Sequence, residues 1–161
     1  GTGSLRHEVH LTIVGGGLLE EALQDMARRL NVSDMITFAG AKTAAEVVSY
    51  MQQADILVNP RIEGETFGII HSEAALQGLP VVAFDVNANR ESILFGALIP
   101  YRIGSNVADL SGAMLQVYTQ QDEYAKQFTL ENMCSHCKTM WEKWNMERHT
   151  QALLNLIIPL L

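Results

Sequence analysis

Two carboxylates, Glu65 and Glu73, are separated by seven residues in the stretch Glu65-Thr66-Phe67-Gly68-Ile69-Ile70-His71-Ser72-Glu73-Ala74-Ala75-Leu76-Gln77-Gly78-Leu79-Pro80-Val81-Val82. A helix is predicted over 68–77, so Glu65 precedes it and Glu73 falls in its early turns. Both acids are then placed to face one cleft above a sheet. Gly68 leaves room for a ligand against the amide groups at the helix start, where dipole and N–H donors favour phosphate. Carboxylates in that position accept hydrogen bonds from sugar hydroxyls. Acids near a helix N-terminus also favour its positive end with no ligand present, and the spacing alone serves either reading.

A second cluster, Gly15-Gly16-Gly17-Leu18-Leu19-Glu20, follows an apolar strand and opens a helix. It matches the first two glycines of the dinucleotide fingerprint G-x-G-x-x-G, but Glu20 takes the third, and the next strand ends in Phe38-Ala39-Gly40 without the acidic residue that would hold a ribose. An NAD site is therefore not predicted. The glycines either let a phosphate approach the backbone or form a tight turn. A signalling receiver domain would need an aspartate where Asn59-Pro60 stands. Cys134-Ser135-His136-Cys137 has no second ligand pair at matching spacing, and Lys138 occupies the place of a haem-attachment histidine. No metal and no cofactor are predicted.

The elements that must position these groups alternate. Strands are expected at 8–14, 35–39, 55–59, 81–84 and 97–101. Helices are expected from about 19 to 30 on the apolar stripe Leu19, Leu23, Met26, Ala27 and Leu30, from Thr43 to about Gln53, over 68–77, and over 90–95. Thr43 with Glu46 reads as a capping box, and the chain turns helical after residue 101. Short apolar strands alternating with helices predict an α/β fold, a doubly wound parallel sheet with C-terminal helices. Ligands of such sheets bind at the carboxyl ends of the strands. With 161 residues, 48% apolar content and no linker, one domain is expected over 1–161, the first seven residues being a linker or expression remnant. A net charge of −7 with no basic stripe argues against nucleic acid as partner. The longest apolar run, 152–161, is too short to span a bilayer, and two cysteines fit a reducing cytoplasm.

The order of these features resembles the C-terminal, donor-binding domain of GT-B fold glycosyltransferases of retaining family 4. The resemblance rests on Glu65, Phe67-Gly68, Glu73-Ala74, Gly78 and Pro80-Val81, and on Leu11-Thr12-Ile13-Val14-Gly15-Gly16-Gly17, Phe38-Ala39-Gly40 and Ala54-Asp55-Ile56-Leu57-Val58-Asn59-Pro60. It spans about residues 8 to 102 and implies a nucleotide sugar as donor substrate. By that resemblance Glu65, the catalytic candidate, contacts hydroxyls of the donor sugar, and Glu73 holds the ribose. Thr66, Phe67, Gly68 and Ile69 present amides to the diphosphate. Gly40, Ala41 and Lys42 flank the base, and Gly15, Gly16 and Gly17 line the cleft wall. Asn87 and Ala88 depart from the family's usual glycine pair, and Asn89 with Arg90 either reaches the cleft or, as a polar loop more often does, stays solvated. The family's Arg-and-Lys phosphate clamp and N-terminal acceptor domain have no counterpart in these residues.

The expected function is donor binding within a glycosyltransferase that moves a hexose with retention. The isolated chain is expected to be inactive, and the full-length protein to be cytoplasmic or peripheral at the membrane. The alternatives are a non-catalytic sugar- or nucleotide-binding module partnering an active subunit, and a sugar-nucleotide epimerase, whose acid-base residues are not identifiable here. The stripe of Trp141, Trp144, Leu153, Leu154, Leu156 and Ile157 carries more apolar surface than a small sheet covers, unless the helix docks wholly on its own domain. Burial at about 25 cal/mol per Å² then favours self-association through residues 141–161. Sedimentation is expected to show concentration-dependent dimers; a strict monomer with Trp144 and Leu156 buried would overturn this.

Overall fold

A computed structural model describes residues 9–62, 68–86, 89, 93, 96–99, 107–120, 122–123, 126, 129, 131–132, 135, 138 and 142. The expected helix over 90–95 and the C-terminal stripe 141–161 lie, almost wholly, outside the described residues. The chain forms two compact units, Gly1–Tyr50 and Met51–Leu161.

In the first unit β1 (Leu11–Val14) pairs in parallel with β2 (Ile36–Gly40), and the helix α1 (Glu20–Arg29) lies between them in sequence. The register runs Leu11 to Ile36, Thr12 to Thr37 and Ile13 to Phe38, then skips Ala39 so that Val14 meets Gly40. That extra residue is a bulge, which bends a strand at its end. His10 and Thr37 add a side-chain hydrogen bond of 2.8 Å. Helix α1 carries Glu20 and Glu21 in its first turn and Arg28 and Arg29 in its last, in keeping with its dipole. It ends at Asn31, whose φ is 55°, with Asn31 N–H donating to the Arg28 carbonyl and Val32 N–H to that of Ala27. Of the apolar stripe read from the sequence only Ala27 is buried. Leu19, Leu23, Met26 and Leu30 stay exposed among the described residues.

The helix α2 (Ala44–Gln53) opens on the predicted capping box. Thr43 N–H and Oγ1 donate to Glu46 Oε2 at 2.8 and 2.7 Å, and Glu46 N–H returns a 3.4 Å bond to Thr43 Oγ1. Two orphan donors of the first turn are thereby satisfied.

The second unit is a three-stranded parallel sheet in the order β3 (Leu57–Asn59), β4 (Val81–Phe84), β5 (Gly96–Ile99). Strand β4 lies in the middle and is buried along its whole length, as a parallel strand covered on both faces should be. Val82 and Phe84 share one side of the pleat. They pack with Val117 of the helix α4 (Val107–Thr119), surrounded by Ile56, Val86, Leu110, Ala113 and Met114. The helix α3 (Ile69–Leu76) connects β3 to β4. Its end is closed by Gly78 N–H donating to the Ala75 carbonyl and Leu79 N–H to that of Ala74, a Schellman motif that turns the chain directly into β4. Asn89 is fully buried, and its Nδ2 donates to the Phe84 carbonyl at 2.9 Å. The expectation of a solvated position is corrected: the side-chain amide satisfies a carbonyl at the end of the central strand.

The bonds from Thr43 to the Glu46 carboxylate, backbone first and hydroxyl second, hold its pKa below the ordinary 4.5, with nearby Lys42 adding to them. The unfolded chain takes up that proton more readily than the folded one. The capping box is therefore expected to contribute fully above pH 4.5 and to fade as pH falls through the lower folded value. Glu46→Gln should flatten this part of the acid limb of stability, measured by urea unfolding from neutral into acid pH.

Candidate functional site

Three of the strand ends singled out in the sequence carry described site residues. At the ends of β1 and β2, Gly15 N–H donates to the Gly40 carbonyl at 2.9 Å, which brings the Gly15–Gly17 turn to the start of the Gly40–Lys42 turn. Gly15 has φ 128° and Gly40 φ 70°, backbone conformations that a side chain would strain. Gly17 is different. Its φ is not positive, and a Cβ built on it would meet nothing within 4 Å. Neither backbone geometry nor packing requires a glycine there, so its missing side chain leaves open space beside the start of α1, where Glu20 N–H donates to the Gly17 carbonyl. Ala41 is exposed and Lys42 half-buried, one residue before the capping box.

In the second unit the site is built on the junction of β3 and α3. Gly68 is buried and caps α3 in the left-handed conformation, φ 70° and ψ 50°, and its carbonyl accepts the His71 N–H at 2.9 Å. A glycine cap places no side-chain oxygen over the first-turn amides, unlike Thr43 at the start of α2. Ile69 and Glu73 are both exposed on this helix. Glu65, Thr66 and Phe67 lie outside the described residues, as do Asn87 and Ala88.

The sequence reading passed over His71. It is fully buried, and its Nε2 lies 2.8 Å from Nδ2 of Asn59, the last residue of β3. The signal was available in the pattern: His71 shares a helix face with Ala74 and Ala75, three and four positions on, and both are buried. A polar ring on a buried face needs a partner, and Asn59 stands at the end of the strand before it. Among the described residues no three His, Cys, Asp or Glu side chains gather into a metal-binding group. No described helix is long and apolar enough to cross a membrane.

The family model described as glycosyl transferases group 1 matches residues 3–130. Phosphatidyl-myo-inositol mannosyltransferase of Mycobacterium leprae is 36% identical over 120 residues, covering 73% of this chain and 31% of that protein. Among solved structures, WaaG, a glycosyltransferase involved in lipopolysaccharide biosynthesis, superposes with a TM-score of 0.68 at 26% identity, over 84% of this chain and 35% of its own. HepE of Anabaena in complex with UDP gives 0.61 at 19% identity, over 84% and 40%, a likeness of fold. The chain thus spans about a third of the length of the curated mannosyltransferase.

Because open space surrounds Gly17, the Gly17→Ala variant is expected to keep its stability within about 0.5 kcal/mol in thermal unfolding. If that space admits a ligand, the same methyl group should weaken nucleoside diphosphate binding in calorimetry.

Proposed function

Since the chain belongs to the glycosyl transferases group 1 family, we propose that it is the donor-binding part of a retaining hexosyltransferase that uses a nucleoside diphosphate sugar. The observation that carries this reading is the start of α3, where a left-handed glycine cap without a side-chain oxygen is followed within the same helix by an exposed carboxylate, Glu73. Amides at a helix start favour phosphate oxygens, and an acceptor-only carboxylate suits vicinal ribose hydroxyls. The UDP held by the fold neighbour HepE agrees with a ligand of that class.

In this reading Glu73 takes the ribose, Gly68 and Ile69 present the diphosphate with backbone amides, and Glu65 is assigned the hydroxyls of the donor sugar. The hexosyl C1 loses its bond to the diphosphate and gains one to an acceptor hydroxyl oxygen on the same face, while the hydroxyl proton passes to the departing diphosphate. Charge on the departing diphosphate has to be met by fixed donors, and helix-start amides supply them without reorganising. The acceptor and the remaining positive charge are contributed by the rest of the enzyme, of which this chain is about a third on the measure of its relatives. The protein is expected to act in the cytoplasm, without a metal.

Charge-assisted bonds to ribose hydroxyls are worth about 1.5–3 kcal/mol. Glu73→Ala is accordingly expected to weaken UDP or GDP binding on the order of ten- to a hundredfold with the fold intact; unchanged affinity in calorimetry would remove Glu73 from the site. In the full-length enzyme Glu65→Gln should lower turnover more than nucleoside diphosphate affinity. Equal loss of both would contradict the division between the two carboxylates.

A further inference from the structure

We propose that His71 and Asn59 form a positioning pair that fixes the rotation of α3 about its axis, and with it the direction in which Glu73 and the Gly68 cap meet the nucleotide. The inference rests on the donor-binding reading above and adds to it two residues that touch no ligand. The chain of contacts starts in the sheet, where Asn59 ends β3 opposite Ala83 of the buried central strand. Asn59 Oδ1 accepts the Arg61 N–H at 3.3 Å, which leaves its amide Nδ2 to donate. The acceptor is His71 Nε2 at 2.8 Å, so the ring carries its proton on Nδ1.

Helical geometry converts this bond into an aim. Successive residues turn by about 100°, so Glu73, two positions after His71, points about 200° away from it. With His71 fully buried, Glu73 must emerge on the opposite side, and it is exposed. The outer radius of a helix is about 5–6 Å, so a rotation of about 10° carries a carboxylate through about 1 Å. Displacements of that size cost on the order of a hundredfold in rate where reacting groups must be aligned, and less where a single hydrogen-bonding group of a binding site is moved. An apolar residue at position 71 would fill the same space but carry no directional bond. The far end of α3 is held separately, by the Schellman motif and by Gln52 Nε2 donating to Gln77 Oε1 at 2.9 Å. The Asn59–His71 bond therefore acts on the end that faces the ligand.

The test compares His71→Leu, His71→Gln, the double variant Asn59→Leu/His71→Leu and Glu73→Ala, all in the 161-residue chain. UDP and GDP affinity is measured by calorimetry and folding by thermal unfolding. His71→Leu strands the Asn59 amide and is expected to lose stability. The double variant removes both members of the pair, leaving no buried Asn59 amide facing an apolar side chain, and is expected to fold. Support would be a folded double variant with affinity reduced on the order of tenfold, and recovery in His71→Gln, whose amide oxygen accepts from Asn59. A folded double variant that binds like wild type would overturn the pair, as would loss of affinity only alongside loss of folding with no rescue by glutamine. If Glu73→Ala loses affinity while the double variant does not, the positioning role alone falls. If wild type binds neither nucleotide, the donor-binding reading falls with it.

Discussion

Strand β4 has water on neither face, and most of the second unit follows from that. A strand buried on both sides must have apolar residues at every position and hydrogen-bonded neighbours along both edges. Val81-Val82-Ala83-Phe84 meets the first demand, and β3 and β5 meet the second, both in parallel. Parallel pairing cannot be closed by a tight hairpin; it needs a crossover, and α3 is the crossover between β3 and β4. The same demand explains Asn89, whose amide takes the carbonyl of Phe84 where the ladder runs out.

Because parallel strands all run one way, their carboxyl ends share an edge, and the polar work of the unit gathers there. The junction after β3 departs from the rule that helices begin on a capping side chain. At α2 the rule holds, with Thr43 and Glu46 satisfying each other. At α3 a left-handed glycine takes that place and the polar bond is moved inside, between Asn59 and His71. One helix start is thus closed by a capping side chain, and the other is anchored from beneath behind a glycine that carries no side-chain oxygen of its own.

The order of the described strands and helices, the capping box, the end of α3 near residue 77 and the parallel pairing were legible in the sequence, because each depends on local chemistry: β-branched runs, Thr43 three residues before Glu46, a glycine after an apolar helix. Boundaries shifted where tertiary context decides them. β1 is four residues instead of the seven expected, and β3 begins at Leu57, because a ladder extends only as far as its partner. Gly15 and Gly40 were singled out, but their mutual bond depends on a bulge that no local pattern announces. Asn89 was misread because a polar residue in a loop is usually solvated, and His71 was missed because its partner lies twelve residues away. Burial of polar groups is a property of pairs, and a pattern read one residue at a time does not contain it.

The shortness of β3 has a consequence for how the chain is made. Leu57 pairs with Val81, 24 residues later in the sequence, and at synthesis rates of about 5–20 residues per second that wait lasts about one to five seconds. Throughout it, Leu57 and Val58 are an apolar segment without the partner strand that pairs them in the fold, and unpaired segments of high β-propensity are where edge-to-edge aggregation begins. Asp55 before the strand and Pro60 after it bracket this hazard, since a charge and a residue without an N–H both resist further pairing. The residues that end the strand in the finished fold thus also guard it before the fold exists.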